Sequence, residues 1–428
     1  MIAQRQPPQA APVESAADFV TYFLVPCLNE ELVIAATVKA LLADTRARVI
    51  VVDDASDDAT GEVAKAADPE RVTVVRRELP AARLGKGPAL NTGFAAILYD
   101  AAAREIVAGR MIVCVMDADG ELSPGALDEV LPLFTDGTVG GVQLPVKIRN
   151  TGSFLTVLQD LEFWGVAAVG QMGRNVTGTV SLGGNGQFTR LTVLLELGRE
   201  PWRPRLTEDL DLGLALSVSG WRLVSTPRAH VTQQGVPSLK ALVRQRTRWY
   251  QGHLAASEWL GQVWSSPRVS HLGMIELTLY LMIPWVLVLP WSLFMNYNMV
   301  MTVGWAMGWA AGPPIGTTPV EQAASIGSWY LMSFLPLWTA GYLYFKQRRC
   351  NFLRAMLIGH LLLVGNYIAY VACWRALFRH LTGSRGWQKT GRVEERRLAS
   401  FPSVAQLESG LAPVTVAGVH ARVGEESR

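Results

Sequence analysis

Five short patterns in this chain carry side chains able to do chemistry. Asp117-Ala-Asp119 sets two carboxylates two residues apart at the end of an apolar run. Such a pair can hold a small hard cation, and Mg2+ is typically completed by waters and phosphate oxygens. A pair of solvated turn aspartates is the plainer reading, which the buried run before them weakens. Asp53 and Asp54 close a second apolar run. That turn can present a carboxylate, Asp54 ahead of its neighbour Asp53, to the N–H of a pyrimidine base, while Ser56 or Asp57 caps the helix that follows. Gly85-Lys86-Gly87 is not a P-loop, because the GxxxxGK[ST] frame is missing and no Ser or Thr follows the lysine. Lys86 can still reach a diphosphate from a glycine-flanked turn, or simply lie at the surface. Thr207-Glu208-Asp209 opens a helix. Acids behind an N-terminal threonine are ordinary capping; the chemical alternative makes Asp209, with Glu208 beside it, a general base for an acceptor hydroxyl. Gln245-Arg-Thr-Arg-Trp249 puts Gln245, Arg248 and Trp249 on nearby faces of one helical turn. An aromatic ring with Gln and Arg donors suits a sugar and a departing diphosphate; a basic interfacial helix with a headgroup-level Trp is the alternative.

The elements that must position these residues follow from the apolar pattern. Strands are expected at 21–25, ended by Pro26, and at 48–52, 72–76 and 111–116, with helices over 29–44, 58–67 and 87–107. Alternation at this spacing indicates a mostly parallel sheet with helices on both faces. Continuous rather than alternating apolar strands fit burial on both sides. Asp53, Asp54, Asp117 and Asp119 then all fall at C-terminal strand ends, where open α/β sheets bind ligands.

The chain has 428 residues, half of them hydrophobic, and a net charge of +3. That charge is too small to argue for nucleic acid, and no basic stripe with interleaved aromatics is present. Cys27, Cys114, Cys350 and Cys373 form no CxxC pair, so neither a zinc site nor a disulfide framework is expected. Residues 1–18 lack the basic start and apolar core of a signal peptide and read as a disordered lead. The N-terminal half, 19–237, is therefore expected in the cytoplasm. Residues 238–270 read as amphipathic interfacial helices carrying the Gln-Arg-Trp pattern. The 271–374 region holds four hydrophobic segments, at 275–294, 299–311, 328–345 and 356–374, the count of true spans being open because basic residues flank the last on both sides. A basic tail, 375–428, frays at its end. A multi-pass protein of the cell membrane is the expectation.

Taken in order, these segments resemble family-2 glycosyltransferases, above all the processive polysaccharide synthases that make cellulose, hyaluronan or poly-N-acetylglucosamine. Val25-Pro-Cys-Leu-Asn-Glu30, Val51-Val-Asp-Asp-Ala-Ser56, Asp117-Ala-Asp-Gly120, Gly183-Gly-Asn-Gly186, Thr207-Glu-Asp209 and Gln245-x-x-Arg-Trp249 carry the likeness over about 20–260, and Gly386-Trp-Gln-Lys-Thr390 looks like a post-membrane WxKT-type segment. The resemblance implies a glycosyltransferase-A fold followed by amphipathic and transmembrane helices. It implies a UDP-sugar donor bound by Asp53, Asp54, Lys86 and Asp117, and Mg2+ or Mn2+ held by Asp117 and Asp119. Asp209, with Glu208, would serve as the base; Gln245, Arg248 and Trp249 would frame acceptor and diphosphate, with Gly184 and Asn185 near the acceptor terminus. The implied reaction is inverting transfer to a growing β-linked polysaccharide at the cytoplasmic membrane face. Single addition to a membrane lipid is the alternative, because the spans that larger synthases carry before the catalytic domain do not appear; export of a polymer would call for a partner subunit or oligomer. A glycoside hydrolase also pairs carboxylates, but needs neither a strand-end DxD nor a cytoplasmic site, and a non-catalytic nucleotide-sugar sensor would not need the whole set.

Overall fold

Short runs of β-branched residues build the centre of the molecule. A computed structural model describes residues 8–11, 13, 15–309, 318–348 and 351–384. Its strands, in chain order, are β1 (Val20–Cys27), β2 (Ala47–Asp53), β3 (Val72–Arg76), β4 (Met111–Val115), β5 (Glu121–Leu122), β6 (Val139–Gln143), β7 (Val146–Ile148), β8 (Gln187–Arg190), β9 (Arg222–Ser225) and β10 (Val231–Gln233). Seven form one sheet in the order β3-β2-β1-β4-β8-β6-β9, and three form a small sheet, β5-β10-β7. β1 to β4 are mutually parallel where they pair, and β8 runs antiparallel between β4 and β6. The expectation of a mostly parallel sheet holds.

Side chains alternate across this sheet into two cores. Phe23, Val25, Val49, Val51 and Cys114 face one way with Ile34 and Val38 of the Ile34–Leu41 helix. Leu24, Ile50, Val52, Val113 and Val115 face the other with Leu90 and Phe94 of the Lys86–Ala103 helix. Burial on both faces accounts for the unbroken apolar strands. The register sets Cys27 beside Asp53, and Asp53 beside Arg76, so the polar strand ends share one edge.

Three boundaries differ from expectation. β1 does not stop at Pro26. The Leu24 carbonyl takes the Met116 amide and the Cys27 carbonyl takes the Asp54 amide, so alternate residues face alternate neighbours. Pro26 faces the β4 side past the last β1–β4 pair, Leu24 with Val115, where no donor is needed. The first helix starts at Ile34 rather than near Asn29, because Asn29 is left-handed (φ 53°) and the Glu30 amide donates to Thr60 Oγ1 at 2.7 Å. The next helix starts at Thr60 without a cap from Ser56 or Asp57. Ser56 Oγ instead accepts from the Asn29 amide, Asp57 pairs with Arg83, and Asp58 Oδ1 takes the Thr60 amide at 3.0 Å.

Beyond the sheet, the Leu239–Ala256 helix packs along the Phe352–Leu381 helix, where Gln251 Oε1 accepts from Arg379 at 3.0 Å and Gln251 Nε2 donates to the Ser384 carbonyl at 2.6 Å. The first two expected hydrophobic segments join in one 34-residue helix, His271–Gly304. Pro284, which has no N–H, sits in its π-helical turn Ile283–Val288. Segments 328–345 and 356–374 fall within Pro319–Arg348 and Phe352–Leu381. Among the described residues, His271–Gly304 and Phe352–Leu381 are long and apolar enough to cross a membrane; about 20 residues are needed. Ile275, Leu279, Val286, Leu293 and Val300 of the first are exposed. Cys27, Cys114 and Cys373 are buried and form no disulfide among the described residues; Cys350, residues 310–311, the Gly386-Trp-Gln-Lys-Thr390 segment and the 375–428 tail beyond Ser384 lie outside the described residues.

Candidate active site

A cavity of about 450 Å3 opens at the shared strand edge. Asp54 enters it just after β2, Asp117 just after β4, Gln143 from the end of β6 and Gln233 from the end of β10. Lys86 reaches in from the first turn of the Lys86–Ala103 helix. Its ammonium donates to Asp117 Oδ1 at 2.6 Å and to the Gly184 carbonyl at 2.7 Å. The flanking glycines are there for the backbone: Gly85 has φ 120°, and a Cβ on Gly87 would stand 2.5 Å from the Arg203 carbonyl oxygen. At Gly184 a Cβ would meet Lys86 Nζ at 2.7 Å and Asp209 Oδ2 at 3.4 Å, so a side chain there would displace the lysine. Asn185 braces this floor; its Oδ1 accepts the Asp117 amide at 3.2 Å and its Nδ2 donates to Gln233 at 3.0 Å.

Glu208 and Asp209 start the Glu208–Val218 helix. Thr207 stands at its N-cap position, but its side chain makes no capping bond. The Thr207 side chain packs against Gly252, where any Cβ would collide with it, so the Leu239–Ala256 helix lies directly on this turn. A helix N-terminus favours an ionised acid by about 0.3–1 kcal/mol, less than one pKa unit, whereas full burial can shift a carboxyl by about 3–5 units. Burial wins here. It pushes Glu208 up to about 7, helped by Asp209 and opposed by Lys86 and Arg248. It also raises Asp209 against the pull of Lys86 and the Leu210 amide. Burial draws the Lys86 pKa down, but Asp117 and Glu208 outweigh it and leave the lysine above its ordinary value. Asp209 Oδ1 accepts from the Leu210 amide at 2.8 Å, and Oδ2 accepts no hydrogen bond among the described residues.

The Glu208 shift has a stability consequence. The folded protein holds that proton more tightly than the unfolded chain, so stability falls as pH rises from the ordinary carboxyl range to about 7. Glu208→Gln is therefore expected to raise the unfolding temperature by a few degrees, more in mildly alkaline than in mildly acidic buffer. Tryptophan fluorescence on heating measures it; a gain larger in acid would contradict burial as the cause.

Gln245, Arg248 and Trp249 line the same cavity. Arg248 donates to the Leu206 carbonyl at 3.2 Å, and Trp249 meets Phe163 edge-on at 5.9 Å. Arg246, between them, turns the other way; it is buried, bonded to Glu162 at 2.7 Å and stacked 4.1 Å from the Trp249 ring.

Of the residues singled out in the sequence, Asp54, Lys86, Asp117, Gly184, Asn185, Glu208, Asp209, Gln245, Arg248 and Trp249 share this cavity. Asp53 and Asp119 are not among its lining residues. Asp53 is buried and holds the turn, its Oδ1 taking the Ser56 amide at 2.8 Å and its Oδ2 the Arg76 guanidinium at 2.6 Å. Asp119 is fully buried, its Oδ2 taking the Gln234 amide at 2.9 Å. Asp54, though in the cavity wall, is paired with Arg77. No cluster of three or more His, Cys, Asp or Glu able to hold a metal occurs among the described residues. Asp117, a partly exposed hard oxygen donor, still fits Mg2+ or Mn2+, since such ions accept one or two carboxylates and are completed by phosphate oxygens and water. Gln143, Gln171, Gln233, Phe163, His253 and Tyr280 also line the cavity and were missed. The strand-end rule that selected the aspartates could have selected Gln143 and Gln233; nothing local marks the others.

The sheet order, with parallel strands β1 to β4 and a second half built on β6, β8 and β9, is the glycosyltransferase-A fold. The mannosyltransferase PcManGT from Pyrobaculum calidifontis, solved in complex with GDP-Man and Mn2+, shares it with a TM-score of 0.51 at 17% identity, over 88% of this chain and 91% of that chain. This chain belongs to the family described as glycosyltransferase like family 2, whose model matches residues 18–252. Beta-monoglucosyldiacylglycerol synthase of Synechocystis sp. is 33% identical over 238 residues, 54% of this chain and 47% of that protein. Poly-beta-1,6-N-acetyl-D-glucosamine synthase of Staphylococcus aureus is 28% identical over 236 residues, 54% and 53% respectively. The chain thus spans about half the length of these curated relatives.

Proposed function

We propose that this protein transfers a sugar, with inversion, from a UDP-sugar to a hydroxyl of a membrane lipid, working at the cytoplasmic membrane face. The observation that carries this reading is that one cavity is walled by Lys86, Asp117 and Asp209 and also by Tyr280 of the apolar His271–Gly304 helix. A lipid-borne hydroxyl could reach Asp209 along that helix without leaving the bilayer surface. The relative that makes a glucosyl diacylglycerol supports the same acceptor class.

In this reading Asp54 orients the base and Lys86 meets the diphosphate. Mg2+ or Mn2+, held by Asp117 and supported by the turn that Asp119 anchors, would supply charge neutralisation at the diphosphate. Asp209 Oδ2 takes the acceptor proton as the hydroxyl oxygen attacks the anomeric carbon. Arg248 is preorganised by the Leu206 carbonyl to stabilise the departing charge. Glu208, whose carboxyl burial pushes upward, packs less negative charge against Asp209 than a surface glutamate would.

Membranes containing the protein, given radiolabelled UDP-glucose or UDP-N-acetylglucosamine, are expected to yield a chloroform-soluble labelled product. Label recovered only in long water-soluble polymer would overturn the lipid reading. It would favour the second one, extension of a β-linked polysaccharide, for which Gln245, Arg248 and Trp249 lining the cavity together speak.

A further inference from the structure

His253 and Tyr280 form a wall of the cavity where the apolar His271–Gly304 helix meets it. Their rings lie 4.9 Å apart, and His253 Nε2 is 2.9 Å from the Tyr280 backbone carbonyl oxygen. A carbonyl oxygen only accepts, so Nε2 carries the proton. Burial pushes the imidazole down to about 4, with Arg174 acting in the same direction, and the ring is neutral in the physiological range. Nδ1 is then an acceptor, and no hydrogen bond to it forms among the described residues.

The neighbours hold this ring in place without using Nδ1. Tyr280 also carries the Arg174 guanidinium over its ring at 4.0 Å, and its hydroxyl bonds Ser181 Oγ at 3.2 Å. Arg174 is itself tied to Glu276 at 2.7 Å. Gln171 spends both ends of its amide on the Ser181 backbone, at 2.8 and 2.9 Å. Trp249 and Phe163 supply apolar rings to the same cavity. Aromatic faces with one fixed acceptor match a polyol ring better than a bare alcohol: the reacting hydroxyl is claimed by Asp209, and a second hydroxyl is needed to use Nδ1.

We propose that His253 is a specificity-determining residue whose Nδ1 accepts a hydrogen bond from a second, non-reacting hydroxyl of the acceptor, so that the acceptor is a lipid already bearing a sugar headgroup. This rests on the lipid-acceptor reading and narrows it. A lipid with one free hydroxyl, such as diacylglycerol, leaves Nδ1 unmatched and is the poorer substrate.

The test compares dioleoylglycerol with glucosyl-dioleoylglycerol, each in phosphatidylcholine vesicles, for the wild-type protein and for His253→Gln and His253→Asn. Glutamine keeps a donor for the Tyr280 carbonyl and drops the Nδ1 acceptor; asparagine keeps an acceptor near Nδ1. The wild type is expected to favour the glucosylated lipid in kcat/KM. His253→Gln should lose about tenfold of that preference, the order of one hydrogen bond to a buried group, through acceptor KM rather than donor affinity. His253→Asn should recover part of it. Wild-type preference for dioleoylglycerol, or an undiminished preference in His253→Gln, overturns the inference while leaving the lipid reading standing. Transfer to neither lipid overturns both. Equal loss of unfolding temperature and of activity on both lipids in both variants assigns His253 a purely structural role.

Discussion

Asp209→Asn is expected to lower kcat by about 10²–10⁴-fold, the range typical for removing a general base, with donor affinity nearly retained. The isosteric amide keeps its bond from the Leu210 amide through the oxygen that already makes it. What it loses is the second oxygen, which accepts nothing among the described residues and lies nearest the Gly184 turn. Burial makes this carboxylate more basic than a surface aspartate, so its removal takes away more than a solvated group would supply. Turnover on radiolabelled UDP-sugar, paired with calorimetric titration of the donor, separates the two quantities. A variant that keeps more than about a tenth of wild-type turnover would take Asp209 out of the base role; a matching loss of donor affinity would assign it to binding.

Asp117→Asn is expected to act on the other half of the reaction. Asp117 is the DxD carboxylate that faces the cavity, and it neutralises Lys86 at 2.6 Å. The amide is a poor ligand for a hard cation and leaves the partly buried ammonium short of its counter-charge. Donor affinity measured with Mn2+ should fall by about 10–100-fold, a loss that outer-shell changes alone can reach at metal sites. Donor affinity measured in chelator should change far less. Asp119→Asn is the useful contrast: its Oδ2 is committed to the Gln234 amide inside the protein, so its effect should be smaller and show mainly as a lower unfolding temperature. Equal donor affinity for Asp117→Asn and wild type in Mn2+ would remove the metal role from Asp117.

The two acid pairs show where local pattern stops being informative. Asp53-Asp54 and Asp117-Ala-Asp119 each announce a polar strand-end edge, and both pairs do stand there. In the second pair Asp117 faces the cavity while Asp119 is consumed by the Gln234 amide; in the first both are engaged by the fold, Asp53 by Arg76 and the Ser56 amide, and Asp54, in the cavity wall, by Arg77 and the Arg83 amide. Arg76 comes from β3 and Gln234 from the chain after β10, and only the Ser56 amide is local, three residues along the same turn. Lys86 is the converse case. Its tripeptide is neutral between a surface lysine and a diphosphate ligand, and only the approach of Asp117 and Gly184 puts it in the pocket.

Sequence alone determined the parallel-led sheet, the edge where the candidate site side chains gather, the helices bearing Asp209 and Arg248, and the apolar C-terminal region. These follow from hydrophobic spacing and strand-end position, which act over a few neighbouring residues. Tertiary structure alone decided which aspartate of each pair faces the cavity, how far Glu208 is pushed toward neutrality, and that His253 and Tyr280 wall the pocket. Those outcomes depend on burial and on partners from distant parts of the chain, and the energy of a buried charge or donor is set by what surrounds it in space rather than by its neighbours in sequence.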